Sequence, residues 1–219
     1  MLVLVACEVT QIVTRAFRER GHEAYSCDVL PTEGNPDWHY QCDVREMQDW
    51  AKVDLLIAHP PCQYLALSGL HWNYRIPGRM EKTTEALGFV RWLMELPINK
   101  IAIENPVGAI SSRIRKPDQL IQPWQFGHPE SKLTCLWLKN LPNLQPTNIL
   151  TPARFQTSGQ PRWDNQTATG QNRLGPSSHR SADRARTYKG IAEAMADQWS
   201  TENTPDLVGQ GKEGEGKDD

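Results

Sequence analysis

The sequence has no apolar run approaching the ~20 residues that a bilayer-spanning helix requires. Its opening stretch, Met1 to Cys7, is apolar, but no basic segment precedes it and Glu8 follows at once. It reads as a buried strand and not as a signal peptide. With neither signal, the expected location is the cytoplasm, with no membrane partner. Closely spaced cysteines are also missing: of Cys7, Cys27, Cys42, Cys62 and Cys135, no two lie two or three residues apart, and the number is odd. This argues against a disulfide framework and against a cysteine-paired zinc site, so no metal is expected and most of the cysteines are read as small buried hydrophobes. An excess of positive charge is absent too, since the formal net charge is −2. A dedicated duplex-DNA binder is usually basic. Only two local clusters, Arg113, Arg115 and Lys116, and Arg173, His179, Arg180, Arg184 and Arg186, offer concentrated cations. Finally, the turn after the first strand lacks glycines, which speaks against a dinucleotide cofactor and a dehydrogenase.

What is present is 219 residues, with 38% apolar and 23% charged side chains. That suffices for one domain with a substantial core. Leu2 to Cys7, Ala24 to Val29, Asp54 to His59 and Ile101 to Glu104 are short apolar or β-prone runs, the pattern of strands buried on both faces. Val9 to Arg20 carries Ile12, Val13, Ala16 and Phe17 at helical spacing, with Gly21 to stop it. Trp38 to Asp43 reads as extended, Arg45 to Lys52 as a short helix and Lys82 to Leu96 as an amphipathic helix, with a loop of about a dozen residues after Pro61. Ser131 to Leu138 reads as a strand and Ser181 to Trp199 as a helix. Strands alternating with helices predict an α/β fold with a doubly wound, mostly parallel sheet. Residues 1–139 with 181–199 form the expected catalytic domain. Residues 140–180, rich in Pro, Gln, Asn, Thr and Gly, form an irregular insert, and 200–219 a disordered tail.

In such a sheet, ligands bind beyond the carboxyl ends of the strands. The residues expected there are Cys7, Glu8, Val9, Thr10 and Gln11 after the first strand, Asp28 after the second, and Asp43 after the extended piece. Pro60, Pro61, Cys62 and Gln63 follow the Asp54 strand, and Glu104 and Asn105 the Ile101 strand. Acidic or nucleophilic groups at five strand ends define one active-site face. Asp28 lies 20 residues past Glu8, a spacing at which a carboxylate commonly meets ribose hydroxyls; a surface turn or a helix cap is the alternative. Trp38, Trp72, Trp92 and Trp124 are read as core or lid residues, and Leu67 to Arg79, with Trp72 and Tyr74, as a candidate lid loop over that face. A Cys62 hydrolase is disfavoured because no His or second acid stands at a defensible spacing.

Pro60-Pro61-Cys62-Gln63 resembles the nucleophile motif of the cytosine-5 DNA methyltransferases, and Ile103-Glu104-Asn105-Pro106 resembles their Glu-Asn-Val motif. Phe126 to Lys132 resembles the family's Tyr-Gly-Val-Pro-Gln-Arg-Arg segment, and Arg186 to Ala192 its last cofactor motif. The motifs run in family order over residues 1 to about 199 and look most like small phage-encoded members. The resemblance implies a Rossmann-like class I methyltransferase fold, S-adenosylmethionine as cofactor, and DNA as partner, with the base flipped from a duplex or taken from a single strand. It implies Cys62 as nucleophile, Glu104 as its acidic partner and Lys132 as a nearby cation. It also implies that Cys7, Glu8 and Thr10 hold the methionine moiety, Asp28 the ribose and Asp43 the adenine amino group, with Pro60 and Gly190 lining the pocket.

These residue types suit the chemistry. A thiolate adding to carbon 6 of cytosine makes carbon 5 nucleophilic, and a carboxyl at nitrogen 3 supplies a proton or hydrogen bond. The sequence departs from the family in its first motif, in Lys132 and Thr134 where arginines are usual, and in an insert of only about forty residues where a target-recognition domain belongs. Three readings follow: methylation of cytosine in DNA; modification of a cytosine nucleotide before polymerisation, or of DNA delivered by a partner protein; and a catalytically degenerate protein that binds nucleic acid or cofactor.

Overall fold

The computed structural model describes residues 1–155, 159–175 and 186–200. Its centre is built from the most apolar runs of the sequence. Leu2–Ala6 forms β1, Glu23–Asp28 β2, His39–Gln41 β3, Leu55–Ala58 β4 and Lys100–Pro106 β5, all parallel. Gln119–Ile121 (β6) and Thr134–Lys139 (β7) complete the sheet, in the order β3-β2-β1-β4-β5-β7-β6. β7 is inserted antiparallel between β5 and β6. The fold is thus α/β with a doubly wound, mostly parallel sheet, as the alternating pattern predicted.

Alternation along the strands divides the core into two layers. Val3, Val5, Leu55, Ile57, Ala102 and Leu136 pack beneath α1 (Ile12–Glu19) and the C-terminal helix Lys189–Trp199. Leu4, Ala6, Leu56, Ala58, Ile101 and Ile103 face the opposite layer, with α3 (Arg79–Glu95) and α4 (Ala109–Arg113). Most of these are wholly buried, and each large aliphatic side chain so removed from water contributes about 2 kcal/mol. The helix Lys189–Trp199, α5 here, lies against α1, where Asp197 pairs with Arg20.

Several boundaries differ from the sequence expectation. Helix α1 starts at Ile12 because residues 8–11 form a turn with Gln11 left-handed, at φ 55°. The stretch 45–52 contains two 3-10 turns, Val44–Glu46 and Trp50–Lys52, separated by left-handed Asp49. The loop after Pro61 is helical: a 3-10 turn Cys62–Tyr64, α2 (Leu67–Leu70) and a 3-10 turn His71–Tyr74. Helix α5 begins at Lys189; the expected start at Ser181, the tail 201–219 and residues His179, Arg180 and Arg184 of the second basic cluster lie outside the described residues. Within the insert, Arg154–Phe155 (β8) pairs with Pro161–Arg162 (β9). The buried tryptophans are Trp137, Trp163 and Trp199; Trp38, Trp92 and Trp124 are half-buried, with Trp92 packed against the second core layer, and Trp72 is exposed. No helix among the described residues is long and apolar enough to cross a membrane.

Candidate active site

The direction of the strand order reverses between β1 and β4, and that crevice is where such sheets take ligands. The β1 end opens it. Cys7 is left-handed, at φ 60°, and its N–H bonds to Cys27 O at 2.7 Å. Cys7 and Gln11 thus turn the chain without the glycines that usually occupy such positions. The Gln11 side chain donates to Ser26 Oγ (3.1 Å) and Asn35 O (2.9 Å) and accepts from Asn35 N (2.7 Å), which fastens the 32–35 loop over the turn. Glu8 is buried and accepts from Val13 N (2.7 Å), Thr14 N (3.2 Å) and Thr14 Oγ1 (2.6 Å). Its carboxylate therefore satisfies the open amides of α1, a favourable place for negative charge. The Thr10 hydroxyl accepts weakly from Ile12 N at 3.5 Å.

Asp28 and Asp43 stand at the next two strand ends. Burial, reinforced by the charges of Asp28 and Asp43, pushes the Cys7 thiol up to about 12, so both carboxylates lie within electrostatic reach of the β1 turn. Asp28 accepts from Leu30 N in a tight turn (2.9 Å), which leaves Val29 and Leu30 exposed beside it. Asp43 caps the following 3-10 turn through Arg45 N (2.9 Å), and the Arg45 guanidinium holds its carboxyl below the usual range. The carboxylates of Asp28 and Asp43 thus stand near the β1 turn, with the exposed apolar side chains of Val29 and Leu30 beside Asp28. Glu8 and Asp43 are engaged with backbone groups of their own segments, and Asp28 with Leu30 N.

On the other side of the crevice, β4 and β5 run in register with Ala58 opposite Ile103. Their next residues are therefore neighbours too. His59 Nδ1 lies 2.8 Å from Glu104 Oε2, and Asn105 Nδ2 donates to Pro60 O at 2.7 Å. His59 N donates to Ala6 O at 3.0 Å, which joins this pair to β1. Beyond them the two loops stay together: Ala109 N donates to Leu65 O (2.7 Å) and Leu67 N to Val107 O (2.9 Å). Gly108 permits this approach, because a Cβ there would sit 1.9 Å from Leu65 O. Cys62 occupies the half-buried 3-10 turn held between these clasps, so it shares one end of the sheet with Glu104. Burial alone would raise the Glu104 carboxyl, but the His59 hydrogen bond and the charges of Lys132 and His59 outweigh it and hold it below its ordinary value. His59 pairs with Glu104 across 45 residues of chain, a relation that sequence spacing does not reveal.

Lys132 precedes β7. Its Nζ donates to Arg186 O at 3.0 Å and lies 5.8 Å from the Tyr188 ring centre, while its charge reaches Glu104. Gly190, at the start of α5, donates to His128 Nε2 (2.9 Å), and a Cβ there would sit 2.0 Å from Phe126 O. Its glycine character therefore serves contact with the Phe126–His128 turn. The insert leans on this same segment: Trp124 stacks on Trp163 at 5.5 Å, and Asn165 exchanges two hydrogen bonds with the Ser131 backbone. No disulfide joins the five cysteines; Cys27 and Cys135 are buried, while Cys7, Cys42 and Cys62 are partly accessible.

No family model and no curated protein sequence matches this chain. Among solved structures, it is similar to an Escherichia coli prophage-encoded chain described as a DNA modification methyltransferase, at 15% identity and a TM-score of 0.45, over 72% of this chain and 58% of that one. It is also similar to a mutant of Spodoptera frugiperda DNMT2, at 19% identity and a TM-score of 0.41, over 68% and 54%. This chain thus spans somewhat over half the length of those two, and its chemistry has to be read from its own residues.

Proposed function

We propose that the protein transfers a methyl group to carbon 5 of cytosine in DNA, with Cys62 as the attacking nucleophile and S-adenosylmethionine as methyl donor. The observation that carries this reading is the clasp between the β4 and β5 loops, which holds the Cys62 turn beside Glu104 through the Asn105–Pro60 and His59–Glu104 contacts. A thiol and a buried carboxyl on adjoining strand ends are the two groups needed to activate a pyrimidine. Cys62 Sγ bonds to carbon 6 as the carbon 5–carbon 6 π bond opens, and nitrogen 3 gains a proton from the Glu104 side. When bound, the cofactor supplies an electrophilic methyl group at carbon 5. A base then removes the carbon 5 proton, and Cys62 leaves. Lys132 adds positive charge near the developing anion. The Cys7 turn and Asp28 are the residues proposed to hold the cofactor, and residues 1–139 with α5 the catalytic unit.

The test is incubation with DNA containing 5-fluorocytosine and S-adenosylmethionine. Fluorine blocks the final elimination, so the base stays bonded to the enzyme through denaturation. A complex that forms with the native chain and is lost in Cys62→Ser supports the reading. Absence of a complex despite measured cofactor binding overturns it in favour of a free cytosine nucleotide or of binding without catalysis, and turnover of dCMP separates those two.

A further inference from the structure

His59 is the buried titratable group that the transfer chemistry leaves unused. Its Nδ1 is held on Glu104 at 2.8 Å, and both side chains are about nine-tenths shielded from solvent. Its Nε2 is buried with no hydrogen-bond partner. An orphaned buried ring nitrogen carries a desolvation cost, and a histidine held at that cost against a buried carboxylate calls for an explanation. A glycine or alanine at this position would keep the Asn105–Pro60 bond and the backbone bonds of the two loops, and would lose the contact with Glu104. What histidine adds is a ring nitrogen, held on the carboxylate, that can both accept and release a proton.

We infer that His59 is the proton-holding partner of Glu104, a positioning residue that acts through the carboxyl and never touches the base. This inference rests on the methyl-transfer reading above. As Cys62 adds to carbon 6, His59 Nδ1 passes its proton to the Glu104 carboxylate, which passes one on to nitrogen 3 and ends ionised as it began. The imidazolium becomes imidazole, and the count of protons is unchanged. When Cys62 leaves, nitrogen 3 gives its proton back along the same path. The carboxyl can then rest ionised, its charge balanced by His59 and Lys132, and still deliver an acid proton at the moment of attack. The other groups that act on the pair are Lys132, whose charge reaches Glu104, and Cys135, across the β5–β7 ladder.

Two measurements on the full chain decide the matter. The first is the rate of 5-fluorocytosine adduct formation from pH 5 to 9 for the native protein and for His59→Gln, whose amide can hold the carboxylate but cannot carry the proton. The expected result is a rate for His59→Gln lower by about tenfold or more at neutral pH, with its decline moved to lower pH and cofactor affinity unchanged. A native-like profile overturns the inference. The second needs no activity: nitrogen-15 imidazole spectra should show the His59 proton on Nδ1, in a strongly hydrogen-bonded resonance lost in Glu104→Gln. A ring protonated only at Nε2 overturns the inference. A native chain that shows the Nδ1 resonance but forms no adduct refutes the methyl-transfer reading and leaves the shared proton standing.

Discussion

The Asn105 side chain donates its amide to the carbonyl of Pro60 across 2.7 Å, and this one bond joins the residue after the proposed acid to the residue two before the proposed nucleophile. The parallel register of β4 and β5 makes it possible, because Pro60 and Asn105 are each two positions past the paired Ala58 and Ile103. Proline at 60 and 61 stiffens the turn that follows. The clasp therefore sets the height of Cys62 above the sheet.

Removing it should cost function before it costs the fold. Asn105→Ala deletes a buried hydrogen bond and leaves a carbonyl unsatisfied, which destabilises by about 1–3 kcal/mol. Asn105→Asp places a carboxylate against that carbonyl and should be worse. Chemical denaturation measures the stability loss. Cys62 adduct formation should fall in Asn105→Ala by more than the folded fraction does; a fall that merely tracks folding would refute the positioning role.

The β1 turn yields a prediction in the opposite direction. Cys7 holds φ 60°, where a non-glycine residue is strained by about 1–2 kcal/mol. Cys7→Gly should relieve this strain and raise Tm, less the packing lost with the thiol. It should also change behaviour in alkali. The native thiol is raised to about 12 by burial and by Asp28 and Asp43, while an unfolded thiol ionises near its ordinary value. Between those two the native state binds more protons, so stability falls as pH rises through that interval. Urea titrations at pH 8 and pH 10.5 should show the drop in the native chain and a smaller one in Cys7→Gly.

Much of this architecture was legible in the residues. The apolar runs at Leu2, Leu55 and Ile101 announce strands buried on both faces, and they form β1, β4 and β5. β6 and α4 were not legible, because three to five residues carry too little periodicity to separate strand from helix. Of the site, the Cys62 and Glu104 motifs were readable, whereas the His59–Glu104 pair spans 45 residues of chain and depends on β4 and β5 being neighbours in register. Counting one residue past each strand would have found it, had the strand order been known. Glu8 was readable as a strand-end acid but not as the anchor of α1, since its partners Val13 and Thr14 lie across a glycine-free turn that no local pattern encodes.

Lys132 is expected to act on pH dependence more than on folding. Its charge helps to hold the Glu104 carboxyl low. Lys132→Met removes that charge while keeping an apolar stem, so the Glu104 carboxyl should move up toward its ordinary value and its protonated form should persist to higher pH. The pH at which the adduct rate declines on the alkaline side should shift upward accordingly. Stability should change by less than about 1 kcal/mol, since Nζ is partly exposed and bonds to a single carbonyl. An unchanged midpoint would show that Lys132 does not reach the carboxyl electrostatically.

The insert provides the last prediction. Asn165 binds both polar groups of the Ser131 backbone, at 3.0 and 2.8 Å, directly before Lys132, and Trp163 stacks on Trp124 behind it. These contacts make the insert a brace for the segment that carries the cation, as well as a surface of its own. Asn165→Ala breaks both hydrogen bonds and should cost about 1–3 kcal/mol, confined to this corner of the molecule because the sheet core lies elsewhere. Hydrogen exchange should accelerate at the Ser131 amide and leave the β1, β4 and β5 amides unaffected. If the brace serves the site, the same variant should lower the adduct rate and reproduce the upward pH shift of Lys132→Met. A variant that loosens the insert but keeps the native pH profile would refute the bracing role.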